Sequence, residues 1–210
     1  MSRVPSERPG PAGGARDRNR QEKVERLGKA AMALFLQRGI DLVTIDDIVE
    51  RAGFSKGSFY RYFEDKEALV ETLLEPIAEI FRAAAVVLAN TPPELLESAY
   101  IQMAMTLGRA VFTHPDVVRL YLQESRGPAV GARRPVRKLA DEIADRAVAL
   151  GISARQTGLY KVLDTRVVTL AIIGAAERLL HEHLAREPFA DPIEAGRALV
   201  ELVNEGLRPR

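Results

Sequence analysis

Residues 44–66 read TIDDIVERAGFSKGSFYRYFEDK, two short helical segments on either side of a glycine. Thr44 and Asp47 stand three apart, the spacing of a capping box in which a hydroxyl satisfies a first-turn amide and an acid reaches back to the cap. Ile45, Ile48, Val49 and Ala52 then recur at helical spacing and define one apolar face. Gly53 falls where that face ends, and glycine enters the left-handed conformation that closes a helix at low cost. Ser55 caps a second segment, with Phe59 and Phe63 four apart on its inner side and Lys56, Ser58, Tyr60 and Tyr62 directed elsewhere. Two helices joined by a turn of about three or four residues make a helix-turn-helix, whose second helix enters the DNA major groove. A lysine, a small hydroxyl, a glycine that permits close backbone approach and phenolic hydroxyls suit that surface.

The stretch 26–74, above all GFSKGSFYRYFEDKEAL at 53–69, resembles the N-terminal DNA-binding domain of TetR-family transcriptional regulators. The resemblance covers roughly a quarter of the chain. It implies an all-helical homodimer that usually represses, with a C-terminal domain that binds a small molecule and thereby releases DNA. Carried over position by position, it places Thr44, Ser55, Lys56, Gly57, Ser58, Tyr60, Tyr62 and Lys66 at the DNA. Lys56, Gly57 and Ser58 are best placed for base edges; Thr44 and Tyr60 offer hydroxyls to phosphates, and Lys66 adds charge beside a helix N-terminus that itself favours anions. Phe54 and Phe59 depart from the smaller aliphatic residues usual at these places.

Composition sets the bounds. A chain of 210 residues with 47% hydrophobic content can bury a sizeable core, and a net charge of +1 leaves DNA affinity to local charge rather than bulk attraction. Without cysteine there are no disulfides, thiolate metal sites or cysteine nucleophiles, which fits a reducing cytoplasm. The apolar run 167–176 is too short to span a bilayer, and the polar start lacks a signal-peptide core, so no membrane association is expected. Only three histidines occur. His181 and His183 point to different sides of a helix, and Glu177 with His181 supplies only two ligands. No phosphate loop or nucleophile elbow is present, so neither metal, cofactor nor catalytic residue is expected, and the chain reads as no enzyme.

Three regions follow: residues 1–19 as a disordered basic arm, 20–67 as the helix-turn-helix domain, and 68–210 as a helical ligand-binding and dimerisation domain. The arm ends in Arg16, Arg18 and Arg20, suited to a narrow minor groove. A first helix over about 21–38 carries Val24, Leu27, Ala31, Leu34 and Phe35 inward. Asp65 caps a fourth helix with Leu69, Leu73, Ile77, Phe81 and Leu88 on one side and Pro76 inside it. Further helices are expected over about 93–113, 116–125, 136–150, 156–186 and 192–207, with a loop at 126–135. The fold class is all-α.

Bundle interiors are where small-molecule sites form, which nominates Met103, Leu107, Phe112, Tyr121, Tyr160, Val168 and Ile172 as pocket lining. Thr106, Glu124, Asp164 and Arg166 are polar orienting candidates, and Arg126, Arg133 and Arg134 candidates for an acidic head group. A lining without Trp suggests a small apolar effector, acyl-type ligands included. Ala171, Gly174 and Ala175 let backbones approach closely, and with Leu199, Leu202 and Val203 they form the expected homodimer surface. The composite expectation is a repressor released from an inverted-repeat double-stranded operator. A transcriptional activator with the same head, or a helical small-molecule-binding protein with a vestigial helix-turn-helix, are the alternatives.

Overall fold

The computed structural model describes residues 15–156, 164–185 and 191–207. Among them every regular element is helical: α1 (Ala15–Arg38), α2 (Ile45–Ala52), α3 (Lys56–Tyr60), α4 (Lys66–Ala89), α5 (Leu96–Thr113), α6 (Pro115–Glu124), α7 (Arg134–Gln156), α8 (Thr165–Ala185) and α9 (Pro192–Leu207). Single 3-10 turns at Pro93–Leu95 and Gly131–Arg133 lead into α5 and α7.

The capping chemistry sets where the first elements start. Thr44 Oγ1 accepts from Asp47 N at 3.1 Å, and the Asp47 carboxylate accepts from Thr44 N at 2.8 Å, the reciprocal pair of a capping box. Gly53 ends α2 at φ 70°. Ser55 Oγ accepts from Ser58 N at 3.3 Å to start α3, and Asp65 accepts from Ala68 N at 2.8 Å to start α4. That helix runs on through Pro76, although the missing proline N–H leaves one carbonyl of the preceding turn unbonded.

Several boundaries differ from expectation. Residues 15–19 are helical, so α1 begins six positions before Gln21 and takes in part of the anticipated arm; residues 1–14 lie outside the described residues. The helix foreseen from 93 opens as a 3-10 turn. Gly151 does not end α7, because it is a packing glycine: a Cβ there would sit 2.8 Å from Thr165 Cγ2 and 2.9 Å from Thr169 Oγ1 of α8. The helix foreseen from 156 starts instead at Thr165, where Asp164 accepts from Arg166 N and Val167 N.

One buried cluster runs from Leu27, Ala31 and Phe35 of α1 through Ile40, Val43, Ile48, Phe59 and Phe63 to Leu69, Leu74 and Ile77 of α4, and on to Leu120, Val136 and Ile143. Helix α6 lies at its centre, touching α1, α4, α5, α7 and α8. Around it α4 packs on α5 and α7, α7 on α8, and α9 on α5 and α8.

Two left-handed glycines separate backbone strain from crowding. Gly53→Ala, whose Cβ would lie 3.5 Å from Arg26 Nη2, carries chiefly the left-handed cost of about 1–2 kcal/mol. Gly39, at φ 79°, would bring its Cβ 3.3 Å from the buried Glu124 Oε1, so Gly39→Ala should cost more than Gly53→Ala in urea unfolding. Equal losses would show that Glu124 yields freely.

Candidate nucleic-acid interface

The inner side of the helix-turn-helix is closed. Phe59 is fully buried, edge-on to Tyr60 at 5.5 Å and tilted against Phe63 at 5.5 Å. Arg26 of α1 donates to Ala52 O at 2.8 Å, capping α2, and lies over the Phe54 ring at 4.6 Å. This cation–π contact gives the unusual Phe54 a packing reason. The outer side is open: Lys56 and Gly57 are exposed, Tyr60 is 52% exposed, and a Cβ at Gly57 would meet no neighbour. The fold itself therefore does not require glycine at 57.

The residues nominated for DNA do not all remain available. Thr44 gives its hydroxyl proton to Asp47 at 2.7 Å, so it offers that proton to a phosphate only by giving up this bond, which is additional to the capping box. Ser55 is likewise engaged, with Oγ on Ser58 N and 3.1 Å from Ser58 Oγ. Lys66 is the most engaged of them. Its ammonium donates to Ile40 O at 2.8 Å and Val43 O at 2.7 Å, and burial lowers its pKa against the pull of Asp41 and Asp47. It holds the α1–α2 connection, two of its three donors being spent on backbone. Tyr62 is half-buried against the core. Lys56, Gly57, Ser58 and Tyr60 share the outer side of α3. Lys56 pairs with Asp46 of α2 at 3.0 Å, which raises its pKa first through the hydrogen bond.

In the bundle the nominated pocket residues separate. Tyr121 is buried, with its hydroxyl donating to Glu177 Oε1 at 3.0 Å, and burial foremost raises its pKa. Met103, Val168 and Ile172 are half-buried on α5 and α8, and Leu107 lies on α5. Phe112 is 56% exposed and stands edge-on to His183, so it lines no interior; Tyr160 falls outside the described residues. Several of the polar candidates are engaged with other groups of the chain. Arg126 pairs with Glu177 at 2.9 Å, Arg133 with Asp41 at 3.0 Å and Glu124 at 2.7 Å, and Arg134 with Glu67 at 3.2 Å. Thr106 bonds back to Gln102 O. No described helix is long and apolar enough to cross a membrane.

Residues 27–73 match the family model described as bacterial regulatory proteins, tetR family, across the capped helices, the glycine stop and the buried phenylalanine. Over this stretch the chain is similar to the DNA-binding domain of the TetR family. Among curated TetR-type relatives it is 40% identical over 53 residues to YvdT of Bacillus subtilis, an uncharacterized HTH-type transcriptional regulator, covering 25% of this chain and only 27% of that protein. It is 28% identical over 204 residues to the HTH-type transcriptional repressor BepR of Brucella suis, covering 89% and 92% of the two chains. Among solved structures the fold resembles the transcriptional regulator FadR from Bacillus subtilis in complex with stearoyl-CoA, at TM-score 0.69 and 14% identity, covering 87% and 98%.

Asp47 gives the TetR-like head a pH signature. Its backbone hydrogen bond from Thr44, then the Thr44 hydroxyl and Arg38, hold its carboxyl below the ordinary value. The contribution is therefore full above the unfolded aspartate value of about 3.9 and is lost as pH falls through the lower folded value. Asp47→Asn keeps an oxygen for Thr44 N–H but does not titrate. Urea unfolding should show the parent's advantage over Asp47→Asn at pH 5 shrinking by pH 3; a pH-independent difference would remove the carboxylate from this role.

Proposed function

We propose that this chain is a TetR-family DNA-binding transcriptional regulator, a homodimeric repressor released from an inverted-repeat operator by a small apolar effector. The observation that carries it is the two-sidedness of α3: Phe59 is buried while Lys56, Gly57 and Tyr60 of the same turn and a half are exposed. In this reading Lys56, Gly57 and Ser58 approach base edges, Tyr60 donates to a phosphate, and the engaged hydroxyls of Thr44 and Ser55 hold the frame.

Charge supports an accessory contact from α1. Residues 44–66 hold five carboxylates and four cations, so the segment brings no net positive field. Arg18 and Arg20 are exposed on the first turns of α1, where they supply phosphate contacts.

Support for the dimer comes from the outer face of α8 and α9. Val167 of α8 is 63% and Leu202 of α9 68% exposed, Ala171 is exposed one turn after Val167, and a Cβ at Gly174 would meet nothing within 4 Å. Leu199, Val203 and Ala175 are half-buried at the same pair of helices. Two copies joined through this face place two heads on half-sites about one helical turn apart. Support for an elongated apolar effector comes from the half-buried Met103, Val168 and Ile172 and from the FadR likeness, a protein whose structure holds stearoyl-CoA.

Titrations against a duplex selected from random DNA by the parent test the head. Tyr60→Phe should weaken selected and unrelated duplexes alike, by about 1 kcal/mol or roughly fivefold. Lys56→Ala should alter preference at one position of each half-site, and Asp46→Asn, which frees Lys56 from its pair, should tighten binding to every duplex. Variants indistinguishable from the parent would put the DNA surface elsewhere.

A further inference from the structure

The α1–α2 connection carries the helix-turn-helix, and it is gripped from the bundle by a buried carboxylate. Glu124, the last residue of α6, is 4% exposed. Its Oε1 accepts from Ile40 N at 3.2 Å and from Gln123 Nε2 at 3.1 Å, and its Oε2 accepts from Arg133 Nε at 2.7 Å. Arg133 in turn reaches the Asp41 carboxylate at 3.0 Å, and Gln123 Nε2 also donates to Phe35 O at 3.2 Å. Segment 123–133 thus touches the end of α1, the amide of Ile40 and the side chain of Asp41.

Only four positions separate Ile40 from Thr44, the cap of α2, and Lys66 holds the carbonyls of Ile40 and Val43 between them. A displacement of the α6 end therefore reaches α2 through bonds rather than through compliant loop. The other end of the chain of contacts lies in the bundle. Tyr121, three residues before Glu124, is tied to Glu177 of α8, and α6 also packs on α4, α5 and α7.

We propose that Glu124 is a positioning residue for DNA recognition: by holding the Ile40 amide it sets where the helix-turn-helix sits on the bundle. The inference rests on the DNA-binding reading above. The residue type is part of the argument. Three N–H groups converge on this side chain, and a carboxylate accepts from all three, whereas an amide must turn its own NH2 toward one of them.

Glu124→Gln is therefore the informative variant, with Asp41→Asn as a milder second that removes the charge from the rim contact to Arg133, weakening it, and keeps the buried carboxylate. Both are made in the full chain and examined by hydrogen exchange and by titration with the parent-selected duplex and a scrambled duplex of equal length. In Glu124→Gln, exchange across residues 39–49 should rise at least tenfold while α7 and α8 keep parent rates. Affinity for the selected duplex should fall at least tenfold and that for the scrambled duplex by less than twofold. Asp41→Asn should move both readouts the same way, by about threefold. Unchanged exchange at 39–49, or parallel loss on both duplexes as from a smaller folded fraction, overturns the proposal. If Glu124→Gln does not fold, a parent-like Asp41→Asn overturns it. A parent that selects no duplex at all defeats the DNA-binding reading and this inference together, whereas a parent that selects and variants that match it defeat the inference alone.

Discussion

The backbone of Ile40 is held on both sides by opposite charges: its N–H by the Glu124 carboxylate and its C=O by the Lys66 ammonium. The constraint arises from the core. Ile40 and Val43 are fully buried while Asp41 and Leu42 between them are exposed, so the short connection lies at the edge of the core, where side chains meet the Ile40 amide and the Ile40 and Val43 carbonyls. Gly39 turns the chain out of α1 in the left-handed conformation, and the next amides and carbonyls find no helical or strand partners. Charged side chains from α4 and α6 meet that need, and in doing so they join the head to two helices of the bundle.

That join explains why α6 matters more than its ten residues suggest. It fills the centre of the molecule with Val118, Leu120 and Tyr121 and ends on the carboxylate that grips the connection. A buried ion pair of this kind contributes little net stability compared with an apolar replacement, yet removing one partner is costly because the other is left uncompensated. Such an arrangement suits definition of position more than strength. In the dimeric regulator proposed above, whose two heads would have to match two half-sites, position is the property on which recognition would depend.

What could be read from the sequence was local. The capping box, the Gly53 stop and the Asp65 cap are three- and four-residue signals, and each appears in the structure as read. Lys66 and Arg26 were beyond reach because their partners lie 26 positions away, and Glu124 because Ile40 lies 84 away. Local chemistry also misdirects: Gly151 looks like a helix stop, but its lack of a side chain serves the close approach of α8. Phe112 fits an apolar stripe, but periodicity names a face without saying whether another helix covers it. The pocket and dimer residues share that ambiguity, while Lys56 and Tyr60 escaped it because a five-residue helix with a buried Phe59 has only one other side.

A double-mutant cycle in stability tests the two-ended grip on Ile40 most directly. Urea unfolding of the parent, Glu124→Gln, Lys66→Met and the double variant gives the coupling between two side chains that hold the N–H and the C=O of one residue. The account predicts non-additivity above about 0.5 kcal/mol, because once either end is released the other grip acts on a loosened connection. Additivity within about 0.3 kcal/mol would mean that the two contacts act independently, and that the α1–α2 connection is held by its buried side chains alone.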